Sequence, residues 1–273
     1  MGAPKLSQDV KVVLSGSGLV YPAHVGGLEA LVYSGRNISR ICGVSGGAII
    51  AAAYGAGYTV GDRGLRRLVL QTLPSEQNLI DWSWWPFNGY GMIKGDRVLK
   101  MLRKVLPPTF KDLEVPVDVV AVDLESKEHV VFNPEKTPDA DLPLVVRASL
   151  SIPLVFAYVE MAGRIFVDGG VAANFPLDIY GTGEDVLGFR IRHEGSGKPI
   201  KGFVDYVTSV IDTMLEASVR EHMEDAVFAR TINLKTKGSG LNFKLTRLEA
   251  ESLMDSARYQ AKEALKQVDF KWH

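Results

Sequence analysis

One cysteine, Cys42, occurs in 273 residues. No internal disulfide can form, and so low a count fits a reducing compartment. Cys42 lies in an apolar strand pattern, which makes it a core residue rather than a reactive thiol. An excess of either charge is also missing. The 31 Lys and Arg offset 32 Asp and Glu, the net charge is −1, and like charges nowhere run to five in a row. No global field draws such a chain onto nucleic acid or an anionic membrane. The opening MGAPKLSQDVK lacks the apolar segment of a secretory signal. It starts Met-Gly, but Leu6 stands where the myristoylation pattern needs Ser or Thr. The expected location is therefore cytoplasmic or peripherally membrane-associated. The one long uncharged run, 41–60, is mostly Gly and Ala and reads as strand, turn and helix rather than a membrane span. Repeats and low-complexity linkers are absent.

What is present is ordinary globular composition, 46% apolar and 23% charged. A single domain over 1–273 is expected. The pattern alternates strand and helix. Strands are expected at 11–16, 38–44, 117–123, 129–132, 155–160, 164–168, 185–191 and 230–234. Helices are expected at 22–33, 47–56, 60–73, 96–106, 142–149 and 203–225. A last helix opens on the capping pair Thr246 and Glu249 and runs to about 265. Strands 155–160 and 164–168 are expected to form a hairpin through Ala162-Gly163. This alternation predicts an α/β fold with a largely parallel sheet covered on both faces.

Within this pattern, GVSGG at 43–47 has the spacing G-x-S-x-G. A strand that turns sharply into a helix presents a serine on a strained backbone. Glycines must flank it, because side chains there would strike the adjoining strand and helix. Gly43, Gly46 and Gly47 supply them. Ser45 would then open a helix whose dipole favours a nearby negative charge. The plain alternative is a tight turn whose serine only caps the helix. A second glycine loop, SGSG at 15–18, also links a strand to a helix, and its bare N–H groups could hold an oxyanion. It is not a phosphate loop. Tyr21 occupies the third glycine place of G-x-G-x-x-G, and no Gly-Lys-Ser/Thr is present.

The base that would take the serine proton has two candidates. Ser45, Asp168 and His193 follow the chain order of an α/β-hydrolase triad. However, only one strand precedes the strand carrying Ser45, too few for that fold, and His193 lies at a polar strand end. His24 and His222 fall within helices and His273 is terminal, so each reads as structural. Asp168, in FVDGG, is delivered by an apolar strand and followed by Gly169 and Gly170. Asp before Gly-Gly is also a common turn. Shielded from water, a carboxylate can still act as base, with its pKa raised toward a useful range.

The blocks LSGSGLVYPAHVGGLEAL, GVSGG, RASLSIPLVF and FVDGGVAANFPLD resemble the successive motifs of the patatin-like phospholipases, in family order from Val12 to Asp178. AVDLESKEHVVF is similar to a further strand pair of that family. The resemblance implies a three-layer α/β/α fold and a Ser-Asp dyad of Ser45 and Asp168. It implies an oxyanion hole around Gly16, Ser17 and Gly18, with the N–H of Gly46. It implies hydrolysis of fatty-acyl esters in phospholipids or related lipids through an acyl-enzyme, with no metal or organic cofactor. The first loop departs from the family pattern: Ser17 replaces a glycine, Val20 a basic residue and Tyr21 a glycine.

Two further segments bear on lipid. DWSWWPFNGYGM, at 81–92, holds three of the four tryptophans and is expected either to meet lipid or to fill the core beneath a loop. Helix 203–225 carries Val207, Val210, Ile211, Met214 and Leu215, expected to pack on the sheet. Besides a lipid acyl hydrolase, two other functions fit: a soluble esterase or thioesterase for short acyl groups, and a non-catalytic lipid-binding member of the fold. The partner expected is lipid, with no nucleic acid; the oligomeric state is left open.

Overall fold

The computed structural model of the chain describes residues 9–72, 80–83, 89–181, 183, 185–194, 199–200, 202–221, 230–237 and 245–271. Five parallel strands form the body of the sheet. They are β1 (Asp9–Leu14), β2 (Asn37–Val44), β4 (Val117–Asp123), β9 (Val186–Glu194) and β10 (Thr231–Lys237). Two strands run against them, β5 (Glu128–Phe132) and β8 (Arg164–Asp168), and β7 (Val159–Met161) pairs antiparallel with β8 at the edge. The order is β10-β9-β1-β2-β4-β8-β7, with β5 on β4. The short pair β3 (Gly91–Ile93) and β6 (Leu154–Phe156) forms a separate parallel sheet.

Both faces of the sheet are covered, as the alternating pattern predicts. Val12, Leu14, Ile41 and Val119 point into the large core with α1 (Pro22–Tyr33), α2 (Gly46–Gly55), α3 (Leu65–Thr72) and α8 (Arg247–Lys271). Val13, Cys42, Val44 and Val120 point the other way, onto a thinner layer. That layer comprises α6 (Gly170–Ala173), a 3₁₀ turn Leu177–Tyr180 and Val219 of α7 (Phe203–Glu221). Cys42 is fully buried, and burial pushes its thiol pKa well up, as a core cysteine requires.

Local chemistry explains the helix starts. Pro22 occupies the first turn of α1. Thr246 and Glu249 form the expected capping box, with Thr246 N–H on Glu249 Oε2 at 2.8 Å and Glu249 N–H on Thr246 Oγ1 at 3.2 Å. The helix expected at 60–73 begins only at Leu65, after a turn through Gly61 to Gly64. The strand expected at 155–160 splits. Its first part joins β3, and only Val159–Met161 forms the hairpin with β8.

α7 meets the expectation only in part: it packs on α6 and sets Val219 against the sheet. Val210 and Met214 are 40% and 44% exposed, while Leu215 and Val219 turn inward. The side chains of Val207 and Ile211 lie outside the description, as do His222, His273 and the segment 84–88 of the aromatic stretch. Of that stretch, Trp82 and Tyr90 are exposed and fill no core. Among the described residues no helix is long and apolar enough to cross a membrane.

Candidate active site

Strand register brings Ser45 and Asp168 together. β5 occupies one edge of β4 over its whole paired length, from Val119 to Asp123. On the other edge, β2 pairs as far as Val44 with Val120, and β8 takes over with Asp168 beside Ala121. The two strands run toward each other along one edge and end on consecutive residues of β4. Their last side chains therefore converge. Ser45 Oγ donates to Asp168 Oδ2 at 2.6 Å.

The turn after β2 has the strain the motif predicts. Ser45 has φ 51° and ψ −124°, in the region that L-residues avoid. Its N–H donates to Ser149 Oγ at 2.9 Å, and that hydroxyl donates to Val120 O at 2.6 Å. The flanking glycines are needed for close approach. A Cβ on Gly43 would lie 2.5 Å from Gly47 O, and one on Gly47 would lie 2.6 Å from both Leu14 O and Ser15 O. Gly169 is pressed as hard, its Cβ position falling 2.3 Å from Val120 O.

Asp168 is 1% exposed. Its Oδ1 accepts from Gly170 N–H at 2.7 Å, and its own N–H donates to Ser151 O at 3.0 Å. Burial pushes its carboxyl up to about 7, against the opposing pull of the hydrogen bonds from Ser45 and Gly170. A carboxylate so placed is a competent proton acceptor near neutral pH. No hydrogen bond joins His193 to Ser45; its ring nitrogen lies 3.4 Å from Thr236 Oγ1 at the exposed end of β9. His24 is buried, with Nε2 donating to Ser15 O at 2.9 Å. Burial lowers its pKa to about 4, so it is neutral, as a structural histidine should be.

The loop after β1 is fastened at its root and open at its tip. Ser15 N–H donates to Phe189 O, and Ser15 Oγ accepts from Ile191 N–H. Gly16 was expected among the oxyanion donors, but its N–H is already bound to Asn174 O at 3.0 Å. Its role is steric, since a Cβ there would lie 2.0 Å from Asn174 Oδ1. Ser17 N–H, Gly18 N–H and Gly46 N–H have no hydrogen-bond acceptor among the described residues. Gly18, at φ 53°, turns the loop over the start of α2. The three donors lie in the loop after β1 and at the start of α2, the helix that follows Ser45.

An apolar cavity of about 140 Å³ adjoins Asp168, lined by Ile152, Pro153, Leu154, Val171, Met214 and Leu215. Leu154 is 56% exposed at its rim and has φ 69°, a strained setting for a leucine that buries so little.

Sequence reasoning passed over the residues that hold this site in place. Arg147, Ser149 and Ser151 follow one another at alternate positions at the end of α5 (Leu142–Ser149) and just beyond it, and all are buried. Arg147 donates to Ser151 Oγ at 2.6 Å and to the carbonyls of Lys94, Gly95 and Ala157. It thus ties the support of Asp168 to the β3-β6 pair. The available signal was an arginine and two serines inside an apolar block.

A family profile described as patatin-like phospholipase matches residues 12–180, more than half the chain. An uncharacterized mimivirus protein is 25% identical over 91% of both chains. An uncharacterized NTE family protein of Mycobacterium bovis is 30% identical over 63% of this chain, which spans 45% of that relative's length. A protein of Invertebrate iridescent virus 6 named "Probable lipid hydrolase 463L" is 26% identical over 62% of each. Among solved structures, VipD from Legionella pneumophila shares the fold, with TM-score 0.60 and 16% identity over 97% of this chain and 68% of that one.

Proposed function

Because the chain belongs to the patatin-like phospholipase family, we propose that it hydrolyses fatty-acyl ester bonds of phospholipids or related lipids, with Ser45 as nucleophile and Asp168 as base. The family and the lipid hydrolase relative support lipid hydrolysis in general. The single observation that carries the finer reading is the 2.6 Å hydrogen bond from Ser45 Oγ to Asp168 Oδ2.

In this reading Ser45 Oγ adds to the ester carbonyl as its proton passes to Asp168 Oδ2. The oxygen that becomes negative is met by the N–H groups of Ser17, Gly18 and Gly46. Collapse returns the proton from Asp168 to the departing alcohol and leaves an acyl-Ser45. Water, deprotonated by Asp168, then attacks the acyl group. Fatty acid leaves and Ser45 recovers its proton. A carboxylate needs no third residue to fix a tautomer, and the Gly170 N–H on Oδ1 orients it.

The acyl chain is assigned to the apolar cavity, and a longer tail to the exposed rim of Leu154, Val210 and Met214. The cavity alone is about the size that admits a benzene-sized group. That size favours a second reading, a soluble esterase or thioesterase for short acyl groups. The deciding experiment is product analysis on mixed phospholipid vesicles with wild type, Ser45→Ala and Asp168→Asn. Free fatty acid from wild type, lost in both variants, is the expected result. Cleavage of short soluble esters only would favour the second reading. Fatty acid release that survives Ser45→Ala would overturn both.

A further inference from the structure

Ser17 follows the tied-down Gly16 in the loop after β1, and its side chain is as informative as its backbone. The residue is 4% exposed, and its hydroxyl is buried without a hydrogen-bond partner. A buried hydroxyl of this kind is costly unless something arrives to bond it. Its location says what that is. The position a Cβ would take on Gly46 lies 2.4 Å from Ser17 Oγ and 2.6 Å from Gly18 O. The hydroxyl therefore rests against the residue that follows Ser45, where the chain of α2 begins. The unengaged N–H groups of Ser17, Gly18 and Gly46 belong to the same small region.

We propose that the Ser17 hydroxyl is a side-chain oxyanion donor, joining the backbone N–H groups when Ser45 adds to an ester carbonyl. The proposal rests on the acyl-hydrolase reading and deepens it. The hydroxyl keeps its proton throughout; no bond to it forms or breaks, and it only rotates about Cβ–Oγ to face the developing charge. In the resting site it faces no acceptor, so the interaction is stronger in the transition state than before it. Glycine at this position could give only its N–H. The loop 15–21 carries no cation, so what it can offer the developing charge is its N–H groups and this hydroxyl.

The test compares Ser17→Ala and Ser17→Gly with wild type on a monomeric, water-soluble medium-chain ester. Melting temperature is followed alongside, as is affinity for an alkyl boronic acid that forms a tetrahedral adduct. Loss of one oxyanion donor elsewhere lowers kcat by about 10²–10³-fold. The expected result here is a fall of roughly 10²-fold in kcat for both variants, with KM unchanged and boronate affinity falling in parallel. A structural role alone would lower the melting temperature and leave kcat per folded molecule as it was. If Ser17→Ala fails to fold, Ser17→Gly decides, because glycine adds no side-chain atom and can take the φ of −150° that Ser17 adopts. Hydrolysis that Ser45→Ala abolishes and Ser17→Ala and Ser17→Gly leave intact would overturn this proposal alone. Hydrolysis indifferent to Ser45→Ala would overturn the acyl-hydrolase reading and this proposal with it.

Discussion

Asp168→Asn should destroy activity and, at neutral to alkaline pH, stabilise the fold. The carboxyl is buried, and burial raises its pKa from 3.8 to about 7. The native state therefore holds a proton that the unfolded chain has lost over the whole interval between those values. Stability from this group is complete below the unfolded pKa and falls as pH rises toward the native one. Between about pH 5 and pH 8 the loss spans about two pKa units. At ~1.36 kcal/mol per unit this is about 3 kcal/mol. Asparagine does not titrate, and its carboxamide oxygen can keep the Gly170 N–H. Other groups titrate alike in both proteins and cancel in the difference. Denaturant unfolding at several pH values measures it. Asp168→Asn should gain about 3 kcal/mol on wild type between about pH 5 and pH 8. A difference that stays flat across this range would refute the claim that Asp168 is held in a desolvating site.

Further outcomes follow from the same geometry. Since the base must be ionised, kcat/KM for an ester should rise with pH through a midpoint near 7, the value set by burial of Asp168; a stopped pH-rate series checks this. Ser149→Ala leaves the Ser45 N–H and Val120 O without their partner, and should cost about 2 kcal/mol in denaturant unfolding while lowering kcat. Gly47→Ala puts a methyl 2.6 Å from the carbonyls of Leu14 and Ser15, which are backbone atoms, so unfolding should show a loss of at least ~2 kcal/mol. Arg147→Lys retains the charge but not the fork that reaches Ser151 and the carbonyls of Lys94, Gly95 and Ala157. It should lower stability by about 2 kcal/mol and loosen the β3-β6 pair in hydrogen exchange.

Much of the fold was legible because its cues are local. Helix 22–33 starts where Pro22 places it, and helix 142–149 keeps the bounds expected of it. The capping box at Thr246 announced α8. The sharp turn at Ser45 was readable because glycine spacing encodes a clash that only a tight strand-to-helix turn would create. The meeting of Ser45 with Asp168 was not readable from spacing. It depends on β8 running against β2 along a shared edge of β4, and register between distant strands leaves no mark at either residue. The loss of Gly16 as a donor was hidden for the same reason. Its acceptor, Asn174 O, lies far along the chain. The exposed face of α7 misled because apolar residues at helical spacing look alike whether they cover a sheet or rim a cavity.

Every step of the proposed hydrolysis requires that Ser45 be the nucleophile that Asp168 activates. Treatment with an alkyl fluorophosphonate, followed by peptide mass spectrometry, tests this most directly. A single adduct is expected on the peptide containing Ser45, formed in wild type and slowed by orders of magnitude in Asp168→Asn. An adduct on another residue, or unimpeded labelling of Ser45 in Asp168→Asn, would contradict it.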